Sequence, residues 1–257
     1  MPGLRFASIG SGSQGNGLVV EAGCTRVLLD CGFGLADTRA RLAHIGVTCE
    51  QIDGIVVTHE HQDHIGGVAR IAKRFGVPVW LTPGTLRGLE ALFEGLQVNL
   101  IENYGAFAIG DVWVEPFPVP HDAREPAQYV FSDGVRRLGV LTDTGCATPH
   151  IEQTLSGCHG IVLETNHDPD MLRRSCYPVR LKERIAGRWG HLDNLAAGSL
   201  LAGLDTSQLS CIVAAHLSQQ NNTPELARSA LAAALDCEPE WIRVADQGGG
   251  MDWLELA

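Results

Sequence analysis

The chain reads as an α/β protein in which two mixed β-sheets are sandwiched between helices. Three observations predict this. Short apolar runs of strand type occur in both halves of the 257 residues. Helical stretches alternate with them, the pattern of sheets covered by helices. No low-complexity tract, repeat or proline- or serine-rich linker divides residues 1–257, so one domain is expected. A chain that is 45% hydrophobic and 19% charged has material for a buried core and no compositional case for disorder.

Element by element, strands are expected over residues 4–9, 18–21 and 26–30, around a glycine-rich loop at 11–16. A helical stretch runs to His44. Ile55-Val56-Val57 reads as a buried strand ending at Thr58. Residues 65–75 and 83–96 read as helices. Strands follow at 98–101, 106–109, 112–118, 129–132 and 138–141, with Asp133-Gly134 as a hairpin turn. The second half turns α/β, with strands at 161–163 and 211–215. Thr223-Pro224-Glu225 opens the last long helix with an N-cap, a first-turn proline and an acid placed well for the helix dipole. Residues 241–245 and 251–255 close the chain as strands.

The formal net charge of −11 excludes a protein that coats nucleic acid or an anionic membrane with its whole surface. A phosphate-bearing ligand needs a local exception. No apolar run approaches the ~20 residues of a membrane span. The opening Met1-Pro2-Gly3-Leu4-Arg5 carries no signal pattern, so a cytoplasmic protein without membrane partners is expected. The eight cysteines contain no CxxC pair and read as reduced, mostly buried thiols.

The decisive segment is Thr58-His59-Glu60-His61-Gln62-Asp63-His64, directly after a buried strand. On an extended loop alternate side chains point the same way. His59 and His61 can therefore meet one ion, while Asp63 and His64, at the bend into the next helix, reach a second. Imidazole plus carboxylate suits zinc, iron or manganese.

This segment, continued through Ile65-Gly66-Gly67, resembles the signature of the metallo-β-lactamase superfamily. Leu28-Leu29-Asp30-Cys31-Gly32, Pro120-His121-Asp122, Leu141-Thr142-Asp143-Thr144-Gly145 and Ala215-His216-Leu217-Ser218 resemble its later elements, in order. The resemblance implies a four-layer αβ/βα fold with a dinuclear metal site between two sheets. It implies His59, His61 and His121 on one divalent ion, Asp63, His64 and His216 on a second, and Asp143 between them. Two such ions acidify a shared water into a nucleophile, with Asp63 also counted as catalytic. Asp30 and Asp122 are implied as residues that orient ligands.

Four further stretches resemble the YycJ/WalJ-like branch, related to tRNase Z and to the cyclic phosphodiesterase of phosphonate breakdown. They are Ser11-Gly12-Ser13-Gln14-Gly15-Asn16, Glu164-Thr165-Asn166-His167-Asp168, Gly190-His191-Leu192-Asp193-Asn194 and the run from His216 through Ser218 to Asn222. The branch usually has serine where this chain has Asp193, which adds a negative charge near the expected phosphate site. The histidine matched by His191 is implied to protonate the leaving group, although His191 could instead cap the next helix. His167 could bind substrate or brace a loop. Ser13 and Asn16 sit in a loop whose backbone could cradle phosphate or merely join two strands. Ser218 and Asn222 read as substrate contacts or as turn chemistry.

Between Met171 and His191 stand six basic residues and one acidic residue, the local exception sought above. One helix over 179–189 would align Arg180, Arg184 and Arg188 beside an apolar row of Leu181, Ile185 and Trp189. That face could meet a phosphate backbone, or be a solvated surface or a contact between copies. The expected function is a metal-dependent phosphodiesterase or nuclease on DNA or RNA. The alternatives are a small-molecule hydrolase of cyclic phosphodiesters, lactones or thioesters, and a non-catalytic nucleic-acid-binding or scaffold protein. Elemental analysis separates the last: reconstituted protein should hold about two equivalents of divalent metal, and well under one would favour the scaffold.

Overall fold

Most strands carry apolar residues on both faces, because each sheet meets the other sheet on one side and helices on the other. The computed structural model describes residues 3–257; Met1 and Pro2, part of the opening read above, lie outside the described residues. The first sheet contains β1 (Arg5–Gly10), β2 (Gly17–Ala22), β3 (Thr25–Leu29), β4 (Gly54–Val56), β5 (Val79–Leu81) and β6 (Val98–Leu100). The second contains β7 (Phe107–Ile109), β8 (Val112–Pro118), β9 (Ala127–Ser132), β10 (Arg137–Leu141), β11 (Gly160–Glu164), β12 (Cys211–Ala215) and β13 (Arg243–Val244). The last strand, β14 (Met251–Glu255), returns to the first sheet beside β1. Each sheet has seven strands, ordered β14-β1-β2-β3-β4-β5-β6 and β13-β12-β11-β10-β9-β8-β7. Both are mixed: β3 to β6 run parallel, as do β10 to β13, and the remaining neighbours are antiparallel.

The alternation expected of strands sorts the core into three layers. Phe6, Val20, Leu29 and Val56 of the first sheet meet Tyr129, Val140, Val162 and Val213 of the second. The neighbours Ala7, Val19, Leu28 and Ile55 face outward onto α1 (Leu35–His44) and the helix pair α2 (Gln62–Ile65) and α3 (Val68–Phe75). After the one-turn α4 (Pro83–Leu86), the other outer layer is built by α5 (Pro149–Leu155), α8 (Asn194–Gly203) and α9 (Pro224–Leu235), packed on Ile161, Leu163 and Ile212. Between α5 and α8 lie the short α6 (Pro169–Arg174) and α7 (Val179–Ile185). The layers are helix, sheet, sheet, helix, as the family resemblance implies. Among the described residues no helix is long and apolar enough to cross a membrane.

Glycine decides several element ends. The helix expected over 65–75 is two helices, because the chain passes too close to Phe33 at Gly67, where a Cβ would lie 2.0 Å from the Phe33 carbonyl oxygen. The helix expected over 83–96 stops at Leu86, since Gly88 turns the chain at φ +83°. β5 lies where no strand was expected, and the strand expected over 241–245 shrinks to β13 behind a 3₁₀ turn at Pro239–Trp241. The cysteines are all free, but only Cys31, Cys49 and Cys158 are buried, which corrects the expectation of mostly buried thiols.

The sheets are joined directly beneath the histidine-rich loop. The fully buried Tyr129 hydroxyl donates to the Val57 carbonyl at 2.6 Å, and the Ala127 N–H donates to the Thr58 carbonyl at 3.0 Å. Tyr129→Phe leaves that Val57 carbonyl without its partner, which should lower unfolding stability by about 1–3 kcal/mol. Denaturant titration should show a lower midpoint at an unchanged slope.

Candidate metal centre

The site is built at one edge of both sheets. β3 and β4 run parallel in the first sheet; in the second, β8, β10, β11 and β12 share a direction, because β8 and β10 are both antiparallel to β9. Asp30 follows β3, the histidine-rich loop follows β4, and His121 follows β8. Asp143 follows β10, Glu164 ends β11 and His216 follows β12. Asp30 and His216 take positive φ, +58° and +54°, a region that non-glycine residues adopt rarely and that clusters at functional sites.

The buried Asp30 carboxylate organises the first half. It accepts the Thr58 N–H at 2.8 Å, the Thr58 hydroxyl at 2.8 Å and His64 Nδ1 at 2.7 Å. With its proton given to Asp30, the Thr58 hydroxyl can only accept from His59 Nδ1, 2.9 Å away. These bonds assign tautomers. His59 and His64 carry hydrogen on Nδ1 and present Nε2 to the interior. His121 Nδ1 donates to the Gly190 carbonyl at 3.0 Å, which frees its Nε2; His61 Nε2 donates to the Asp122 carbonyl at 3.2 Å, which frees its Nδ1. In these four rings the outer nitrogen has a protein acceptor and the inner one has a lone pair, the arrangement found around metal-binding histidines.

The inner atoms converge. His59, His61 and His121 form one group of possible ligands, and Asp63, His64 and His216 another. Asp143 joins His59 and His64 in a third, and Glu164, His191 and His216 in a fourth, with atoms within 4.8 Å of one another in each. His59 Nε2, Asp143 Oδ2 and His216 Nδ1 are buried without a hydrogen-bond partner, which is costly unless a cation answers them. Asp143 Oδ2 stands 3.0 Å from His64 Nε2, a contact that needs either a proton on the ring or a cation between the two. The residues present fit divalent cations: imidazoles and carboxylates converge on one cluster, and three of their inner atoms are buried without a partner.

The charges agree. Burial alone would lower His64 and His216, but Asp143, helped by Asp30 at the first ring and by Asp63 and Glu164 at the second, holds both well above the ordinary histidine value. His59 goes the other way, pushed well below by burial and by His64, and remains a neutral donor. Against burial, His216 and His64 hold Asp63 and Asp143 ionised, well below the usual carboxylate range.

A pocket of about 310 Å³ opens onto this cluster, lined by Ser13, His61, Asp63, Asp143, Asn166, Arg184, His191 and His216 among others. His191 donates from Nδ1 to Glu164 Oε1 at 2.7 Å, with Asp143 Oδ1 at 3.2 Å. Burial opposes charge on this ring, but Glu164 and Asp143 outweigh it and push His191 up to about 9. Glu164, fully buried, also accepts the N–H groups of Leu192 and Thr144. The sequence names it only as the start of a stretch that carries the family resemblance, with no role of its own; an acid closing the apolar run Ile161-Val162-Leu163 is the available signal.

The remaining expected residues divide. Asn16 braces the first half, its amide 3.3 Å from Asp63 Oδ2 and 3.0 Å from His64 Nε2. Asp122 ties Arg184 Nε at 2.5 Å and so draws α7 over the pocket. The helix expected over 179–189 ends at Ile185: Gly187 and Gly190 let the chain fold back, and His191 N–H donates to the Ile185 carbonyl at 2.9 Å. Arg180 and Arg188 are exposed and lie outside the pocket lining, and the 180-184-188 row is broken. Trp189, expected in the apolar row, is exposed as well. His167 is buried 3.3 Å from the Asn166 side chain, and Asn222 is bonded to Asn194 and the Thr165 carbonyl; both brace loops behind the site. Ser218 accepts the Asn221 N–H and lines a neighbouring pocket. Asp193 caps α8 through the Ala196 N–H at 2.8 Å, a task serine also performs, so the expected intrusion of charge on the phosphate site gives way to a helix cap. Replacing Asp30 by Asn removes one of the acceptors that hold His64 and Thr58. Metal affinity, read by competition with a chelator, should fall about 10- to 100-fold; unchanged affinity would remove Asp30 from this role.

Residues 25–212 match the Beta-lactamase superfamily domain. The chain is 36% identical over 237 residues to the exodeoxyribonuclease YycJ of Bacillus anthracis, covering 91% of this chain and 90% of that one. It is 31% identical over 256 residues to the exodeoxyribonuclease WalJ of Streptococcus pneumoniae, covering 98% and 93%. The crystal structure of the metallo-β-lactamase fold protein YhfI from Bacillus subtilis superposes with a TM-score of 0.78 at 16% identity, covering 99% of this chain and all of that one. Fold, ligand geometry and sequence agree that this chain belongs to the metallo-β-lactamase superfamily, in its YycJ/WalJ-like branch.

Proposed function

We infer that this chain is a metal-dependent phosphodiesterase acting on nucleic acid. Two divalent cations, zinc, manganese or iron, would be held by His59, His61 and His121, by Asp63, His64 and His216, and by Asp143. The observation that carries this reading is His191, anchored through Nδ1 on the buried Glu164 and lining the pocket beside the ligand cluster. Divalent cations bound there supply Lewis acidity and an acidified water. The chain's own residues supply the rest. The Glu164 carboxylate stabilises the imidazolium of His191, whose Nε2 proton goes to the departing sugar oxygen as the phosphorus–oxygen bond breaks. Asp63, ionised at the pocket wall, orients the attacking water. Arg184 and Ser13, on the same lining, meet the non-bridging phosphate oxygens.

The two relatives named as exodeoxyribonucleases support DNA as the substrate and an end-directed cut. Such a substrate and eight free cysteines suit a cytoplasmic protein. Arg180 and Arg188, exposed on the same segment as Arg184, extend positive charge away from the pocket along the path of a phosphate backbone.

Metal-reconstituted protein should cleave end-labelled single- or double-stranded DNA, with RNA, a lactone and a thioester beside it to separate substrate classes. Asp143→Ala and His59→Ala should abolish cleavage. His191→Ala should keep its metal and lower kcat by about 10²- to 10⁴-fold. Full activity in His191→Ala would overturn the assignment of the acid.

A further inference from the structure

The segment that delivers His191 to the pocket also exposes a large aromatic side chain. Trp189 is 62% exposed, the most exposed of the bulky aromatic residues, and its indole makes no hydrogen bond among the described residues. Its backbone, in contrast, is held from several sides. The Trp189 carbonyl accepts the Asp122 N–H at 2.9 Å, and the Gly190 N–H donates to the Gly187 carbonyl at 2.9 Å. Gly145 packs so closely beneath that a Cβ there would lie 2.5 Å from Trp189 N. The next carbonyl, of Gly190, receives the ring hydrogen of His121. An indole with no partner is thus carried on backbone immobilised against the metal centre, two residues from His191.

The segment that carries it is basic. Arg184, Arg180 and Arg188 belong to the same segment, and the last two form no ion pair among the described residues. An exposed aromatic face on a basic segment is how proteins hold a single strand: the cations follow the phosphates and the aromatic ring stacks on a base. Stacking requires a base whose face is free, so it selects an unpaired nucleotide.

We propose that Trp189 is the platform on which the base next to the scissile phosphate stacks, so that the enzyme acts on an unpaired strand end. This rests on the phosphodiesterase reading above. The indole does no chemistry; it positions the nucleotide.

The test compares short single-stranded DNA with the same strand carrying an abasic residue at the cleaved end, in wild type, W189A and W189F. Wild type should prefer the base-bearing strand by about 5- to 150-fold in kcat/KM, the equivalent of roughly 1–3 kcal/mol per stacked base. W189A should bring that ratio close to one, and W189F should retain most of it. Fluorescence anisotropy with metal-free protein should show the same order in Kd, with metal content equal in all three proteins after reconstitution. Cleavage by wild type with the same preference in W189A would overturn the stacking role alone. Failure of wild type to cleave either strand would overturn the phosphodiesterase reading and this inference together. A W189A change in oligomeric state with base preference intact would assign the indole to a protein interface and also overturn it.

Discussion

The structure depends on one buried carboxylate. Asp30 takes three hydrogen bonds from two residues of the neighbouring strand's loop, and through them decides which nitrogen of His59 and His64 is available. The constraint is reciprocal. A left-handed backbone at Asp30, strained for most side chains, persists because Thr58 and His64 hold its carboxylate in place. The free Nε2 atom of His59 follows from this, and the His64 ring, with His216, holds Asp143 ionised.

The same logic extends outward through the second half of the chain, where the polar groups form a relay. Glu164 holds His191, the segment before His191 receives the ring hydrogen of His121, and Asp122 links His61 to Arg184. A helix dipole or a single ion pair could not place four rings this closely; the work is divided among backbone carbonyls and carboxylates that are themselves ends of strands. Strand ends therefore carry the candidate ligands, and the turn after α7 is held against them by its own backbone bonds.

Legibility in the sequence followed the range of the interactions. The apolar alternation of Phe6-Ala7 or Leu28-Leu29 marks strands buried on both faces, because burial pattern is a local property. Four ligands within six residues marked the metal loop for the same reason. His121, Asp143 and His216 became legible only through the family resemblance, since nothing near each of them in sequence reports its neighbours in space. Glu164 escaped because its partner His191 is 27 residues away and an acid at a strand end is common. The overlong helices at 83–96 and 179–189 were misjudged where side-chain periodicity continued past glycines that turn the backbone. Asp193 was misjudged by its charge, when its position before α8 was the informative feature.

The placement of the ligands on both sheets has a mechanical consequence. His59, His61, Asp63 and His64 hang from the first sheet, whereas His121, Asp143 and His216 hang from the second. No ion can satisfy its donors unless the two sheets are already face to face. A cation held by these donors would act as a clasp at the open edge of the sandwich, with the Tyr129 bond to Val57 joining the sheets below it. Cation binding at such a site would favour the closed sandwich by mass action. Such a centre would in this sense also fasten the fold.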